Sequence, residues 1–136
     1  MKLTKVHKFV FKNFGVDFFL YFDSFKNMKI NNATNALGAL AQTTRLKIFR
    51  LLVNSGPAGL AAGDIANQLH LPSPTLSFHL KELKIYGLVT CTRNSRSLIY
   101  SANFQVMREL IDFLTQDCCR GHPEICDFSA PDSSLV

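Results

Sequence analysis

One short helix, written over residues 71–83 as LPSPTLSFHLKEL, constrains this chain more than any other stretch. Leu76, Leu80 and Leu83 recur at i, i+4 and i+7 and make a single apolar stripe. Its start is marked twice: Ser73 is placed to cap it, and Pro74 suits the first helical position. The other face carries Thr75, Ser77 and Lys81, hydroxyl and cationic groups suited to base edges and phosphates. A turn at Tyr86 and Gly87 follows. Two β-patterned runs come next, 88–93 and 97–101, joined by Asn94, Ser95 and Arg96. A helix and then a basic-tipped hairpin is the order of a winged helix that reads DNA. The plain alternative is an amphipathic helix beside an ordinary hairpin.

The upstream pattern supplies the rest of such a domain. Asn32 is placed to cap a short helix over 33–41, with Ala36, Leu37 and Leu40 as its stripe. Thr43 is placed to cap the next, 44–54. There Leu46, Ile48, Phe49, Leu51, Leu52 and Val53 cover most of the circumference, which predicts a central, buried helix. Ser55, Gly56 and Pro57 end it. Residues 61–69 read as a helix with Ile65, Ala66 and Leu69 facing inward. The turn at 70–72 then makes 73–86 the second helix of a helix-turn-helix. Asn103 is placed to cap a last helix over 104–116, where Met107, Leu110, Ile111 and Leu114 form the stripe. Val106 and Phe113 widen that stripe beyond what one small core needs. The predicted fold is mainly α with a small β-hairpin wing, a winged helix-turn-helix.

At 136 residues the chain is one domain. No apolar run reaches the length of a membrane span. The formal net charge is +5, of which 1–27 contribute +3, because five Lys there face only Asp17 and Asp23. The same 27 residues hold seven of the twelve Phe and no Ala, with no clean period. Lys5, Lys8, Lys12, Asp17 and Asp23 break every apolar core that a secretory signal would need. Residues 1–27 are therefore expected to be an extension foreign to the domain. They are appended upstream of a natural start at Met28, or disordered, or a helix that packs on a dimer. The domain itself is expected over 28–117, and 118–136 form a cysteine segment running into a Ser/Pro/Asp-rich, disordered tail.

The four Cys are 91, 118, 119 and 126, and three of them fall within nine residues. Nothing indicates secretion, and such crowding is a poor disulfide framework but a good ligand cluster. Trivalent arsenic and antimony are thiophilic and prefer thiolate to carboxylate or water. Three sulfurs complete arsenite's pyramid, so Cys118, Cys119 and Cys126 suffice. Adjacent residues on a regular helix point about 100° apart. Cys118 and Cys119 can therefore share an ion only where the helix frays, an end that Gly121 and Pro123 favour. Arg120 and His122 favour the thiolates, while Asp117 and Glu124 oppose them. The alternatives are unliganded surface thiols, a Cys₃His zinc site that includes His122, and a redox switch resolved by Cys126. Cys91, on the first wing strand, reads as a small packed hydrophobe. His79 reads as a phosphate contact or a packed helix residue.

Three blocks in this order, ALAQTTRLKIFRLL at 39–52, TLSFHLKEL at 75–83 and GLV at 87–89, resemble the ArsR/SmtB family of metalloregulatory repressors. The likeness covers about residues 30–120. It implies a homodimeric repressor that leaves double-stranded operator DNA when an inducer binds; the dimer is expected in the cytoplasm and to form through the last helix and the first. DCCRG at 117–121 is similar to the arsenic-responsive branch that carries thiols at its C-terminal end. Two departures matter. LAAGD at 60–64 lacks the Cys-x-Cys pair of some arsenic sensors, and the last helix offers Glu109 and Asp112 but no His, against a zinc site of the family's kind. The expected DNA contacts are Ser73, Thr75, Ser77, His79 and Lys81 on the reading helix, with Arg93 and Arg96 on the wing. The expected inducer is As(III) or Sb(III) on Cys118, Cys119 and Cys126, with zinc the weaker candidate. An enzyme, for example a thiol oxidoreductase, would need a Cys-x-x-Cys motif or a cofactor loop, and the sequence has neither.

Overall fold

The computed structural model describes residues 28–116. The expectations for 1–27 and for Cys118, Cys119 and Cys126 lie outside the described residues. The described order is α1 (Ile30–Leu40), α2 (Thr43–Ser55), β1 (Leu60–Ala61), α3 (Ala62–Leu69), α4 (Ser73–Ile85), β2 (Val89–Asn94), β3 (Ser97–Ala102) and α5 (Phe104–Thr115). This is the mainly α architecture with a hairpin wing that the sequence predicts.

The first two helices begin one to three residues from where side-chain chemistry suggests. In α1 the Ala33 N–H donates to the Lys29 carbonyl at 3.0 Å, so Asn32 lies inside the first turn rather than capping it. The buried residues are Ala33, Ala36 and Ala39, whose small side chains let the helix approach its neighbours closely. Leu37, expected in the stripe, is exposed. Thr43 is the first residue of α2, not its cap. Gln42 is extended and accepts the Arg45 N–H at 2.7 Å through its side chain. The Arg45 Nε–H donates to the Ala39 carbonyl at 2.7 Å and ties the end of α1 to the start of α2. Burial on α2 is narrower than its composition suggests: Ile48, Phe49 and Leu52 are buried, whereas Leu46 is 43% exposed.

A two-residue strand, β1, was not expected. It pairs antiparallel with β3, Leu60 opposite Tyr100 and Ala61 opposite Ile99, giving the sheet order β1-β3-β2. Gly59 leads into it with φ +70°, and a side chain there would run into the Tyr100 carbonyl. The wing itself matches the expected pair of strands to within a residue at each end. Arg93 faces Leu98 and Asn94 faces Ser97, so Ser95 and Arg96 form the tip, with Ser95 at φ +55°.

The core collects Ile48 and Leu52 from α2, Ile65 from α3, Leu76, Leu80 and Leu83 from α4, Leu88, and Val106 and Leu110 from α5. Asn103 caps α5 as expected, its side chain accepting the Val106 N–H at 3.3 Å. The broad apolar stripe of α5 divides: Val106 and Leu110 enter the core, while Ile111 and Leu114 stay exposed.

Candidate nucleic-acid interface

The reading helix is set by its two ends. At the first, α3 stops at His70, which takes left-handed backbone (φ 52°, ψ 43°). The Leu71 N–H closes back on the Ala66 carbonyl at 3.0 Å, a Schellman-type end that reverses the chain within three residues. Pro72, extended at φ −59° and ψ 141°, then occupies the cap of α4. Ser73 is thus the first helical residue and makes no side-chain capping bond, a correction to the expected cap: proline's fixed φ already sets the extended entry. Pro74 still falls in the first turn. At the other end, Gly87 at φ +70° lets the Leu88 N–H reach the Leu83 carbonyl at 3.0 Å, and the wing starts there.

Between these ends, Leu76, Leu80 and Leu83 are fully buried, so the expected stripe anchors α4 to the core. Ser73, Thr75, Ser77 and Lys81 are all exposed on this one helix. His79 is half-buried, and its Nδ1 points into the domain without a hydrogen-bond partner there, which leaves only Nε2 for an outside contact. Arg93 and Arg96 are exposed at the hairpin tip, and the Arg93 Nε–H donates to the Ser95 carbonyl at 3.2 Å. The seven expected contact residues therefore fall on two consecutive elements.

One further outward residue on α4 is Phe78. At about 100° per residue, Phe78 lies opposite the leucine stripe, on a line with Pro74, Lys81 and Ile85. It is 58% exposed, and its ring meets the His79 ring edge-on, with centroids 5.5 Å apart. The signal was available: Phe78 is two residues from both Leu76 and Leu80, out of phase with the buried face.

The described residues carry a basic excess. Residues 28–116 hold nine Lys/Arg against four Asp/Glu, a stronger basic balance than the whole chain from residue 28 suggests. Cys91 is half-buried on β2, opposite Tyr100 on β3, and its thiol is free. Burial first, and the adjacent Cys91 thiol second, push the Tyr100 phenol up to about 12. Among the described residues, no three His, Cys, Asp or Glu side chains gather to hold a metal ion. No described helix is long and apolar enough to cross a membrane.

A helix-turn-helix followed directly by a two-stranded wing defines the chain as a winged helix-turn-helix protein. A family model described as a helix-turn-helix domain matches residues 40–92. The transcriptional repressor SdpR of Bacillus subtilis is 29% identical over 91 residues, spanning 67% of this chain and 98% of that protein. The arsenical resistance operon repressor of Staphylococcus xylosus is 30% identical over 90 residues, spanning 66% of this chain and 80% of that protein. The solution structure of Mb0332 from Mycobacterium bovis, described as a homodimeric winged helix-turn-helix DNA-binding domain, superposes with a TM-score of 0.53. It has 25% identity and covers 65% of this chain and 82% of that one. This chain belongs to the ArsR/SmtB family of transcriptional regulators, and its relatives are DNA-binding proteins rather than enzymes.

Proposed function

We propose that the chain is a cytoplasmic, homodimeric transcriptional repressor, with 28–117 as its DNA-binding unit. In this reading it leaves its operator when arsenite or antimonite binds Cys118, Cys119 and Cys126. One observation carries the DNA-binding part: α4 buries its whole leucine stripe while turning Ser73, Thr75, Ser77 and Lys81 outward beside a hairpin tipped by Arg93 and Arg96. Hydroxyls and Lys81 serve base edges and phosphates, and the wing arginines serve the backbone or the minor groove. His79 reaches a phosphate through Nε2.

Dimerisation is supported by the apolar residues that α1 and α5 leave uncovered. Ile30 is 66% and Leu114 56% exposed, and Leu37 and Ile111 are exposed with them. The Mycobacterium bovis neighbour is itself homodimeric. Two reading helices would then enter successive major grooves about 34–36 Å apart on a near-palindromic operator.

The inducer reading rests on three thiols within nine residues and on the Staphylococcus relative, a repressor of arsenical resistance. Cys118 and Cys119 follow α5 by only a few residues. An ion held there acts on the helix that would also join the two subunits, and so on the spacing of the reading helices. Release needs inducer to favour the non-binding dimer by about 1–3 kcal/mol.

A mobility-shift titration with arsenite, zinc and peroxide in parallel tests the reading. Release by arsenite alone is expected. Release by zinc alone would assign the thiols to a Cys₃His site with His122, and release by peroxide alone would assign them to a redox switch.

A further inference from the structure

Phe78 stands apart on α4. The helix already buries its own stripe, so the exposed ring has no place in the core of its own domain. Apart from Pro74 one turn earlier, its outward neighbours are polar: the Thr75 and Ser77 hydroxyls flank it, and Lys81 lies one turn further on. Phe78 is also in the first half of the helix, the part that meets base edges when a helix of this class enters the major groove. Ile85, on the same line, is the final residue of α4 and lies beyond that part. The ring is not free to swing equally in all directions, because its neighbour His79 is half-buried and meets it edge-on.

A base pair in the major groove presents donors, acceptors and one apolar group, the 5-methyl of thymine. An aromatic ring makes no conventional hydrogen bond to the first two and gains apolar contact from the third. We propose that Phe78 is a specificity-determining residue that receives the 5-methyl group of a thymine in each operator half-site. This rests on the DNA-binding reading given above. Thr75 and Ser77 then bond polar edges to either side, and Lys81 neutralises a phosphate. The ring disfavours the G·C and C·G pairs at its position because they leave it against polar edges with no methyl.

The test uses the full chain and an inverted repeat selected by the protein from random-sequence duplexes. Each thymine of a half-site is replaced in turn by deoxyuridine, which removes only the methyl group. Binding is measured for the wild type, Phe78→Ala and Phe78→Leu, with circular dichroism and binding to a non-cognate duplex as controls on folding. Wild-type protein is expected to lose about fourfold in affinity per half-site at one thymine position, the change that corresponds to one buried methyl. Phe78→Ala should bind the operator more weakly and be indifferent to that methyl, while Phe78→Leu should keep part of the preference. Wild-type binding that is indifferent to every deoxyuridine, or discrimination that survives in Phe78→Ala, would overturn the assignment while leaving the DNA-binding reading in place. Failure of the wild type to select any sequence over bulk DNA would overturn both.

Discussion

Asn103 donates its backbone N–H to the Leu88 carbonyl at 2.9 Å, so α5 begins on the residue where α4 hands over to the wing. Leu88 in turn donates its N–H to the Leu83 carbonyl at 3.0 Å, inside the last turn of α4. The side chain of Asn103 completes the path by accepting the Val106 N–H in the first turn of α5. The reading helix and the last helix are thus joined through the backbones of two residues, without a long connecting loop.

Asn103→Ala removes the cap and should cost about 1 kcal/mol. Thermal unfolding should show a fall of several degrees, and Asn103→Asp should recover most of it because an aspartate oxygen can take the same N–H. Equal stability of the alanine variant and the wild type would mean that the backbone bond to Leu88 alone sets the helix start.

Two glycines should answer the same substitution with opposite signs. Gly59 sits at φ +70° against the Tyr100 carbonyl, so Gly59→Ala combines left-handed strain with a collision and should destabilise by more than about 1–2 kcal/mol. Gly63, in the first turn of α3, has open space around it, and Gly63→Ala should stabilise by about 0.5–1 kcal/mol. Urea midpoints at unchanged slope separate these outcomes. A neutral Gly59→Ala would show that β1 can part from β3 at little cost.

The legible parts of this fold were the periodic ones. Leu76, Leu80 and Leu83 announced the reading helix because a 3.6-residue period needs only one buried side, and the wing showed through alternating residues around a polar tip. The helix starts depart from Asn32, Thr43 and Ser73 for one reason. A cap is the residue whose backbone is extended, and Lys29, Gln42 and Pro72 hold that conformation while the nearby Asn, Thr and Ser are already helical. Strand β1 is two residues long, too short to carry any period, and exists through its pairing with Tyr100 and Ile99. Leu46 is exposed although its helix is apolar almost all round, because only tertiary partners decide which arc is covered.

Tyr100 gives the protein an alkaline limit. Its folded pKa of about 12 stands above the ordinary 10, so the folded state holds this proton more tightly than the unfolded chain does. The resulting stability is full below pH 10 and is lost as the pH rises from 10 through about 12. A phenolate titration followed by absorbance should show one tyrosine ionising late. In Cys91→Ala that transition should move down yet stay above 10, because burial is the larger cause and the thiol the smaller. A transition already at 10 in the wild type would show the strand pair open to water at Tyr100.

On the proposed operator, Arg96→Ala and Thr75→Ala should differ in kind. A backbone contact by Arg96 at the wing tip makes its loss weaken all sequences alike. It should also reduce the slope of log affinity against log salt by about 0.9 for each phosphate contact removed. Thr75 is assigned to a base edge, so its loss should change which sequences are preferred and leave the salt slope alone. If both variants bind the operator like the wild type, the reading face has been assigned to the wrong side of α4.

Replacing Cys118, Cys119 or Cys126 singly by Ser should leave operator affinity intact and abolish or strongly blunt release by arsenite. Two sulfurs hold the ion much less tightly than three, and serine is a poor ligand for a thiophilic centre. Cys91→Ser should change neither property, because Cys91 lies among the wing strands, half-buried beside Tyr100. X-ray absorption on the arsenite complex should show three sulfur neighbours and no nitrogen or oxygen in the first shell. A nitrogen contribution would bring in His122. Full arsenite response in Cys126→Ser would reduce the site to the adjacent pair Cys118 and Cys119, with a third thiol supplied by the second subunit. Mixed dimers carrying one wild-type chain and one chain lacking all three thiols would then show whether a single subunit is enough.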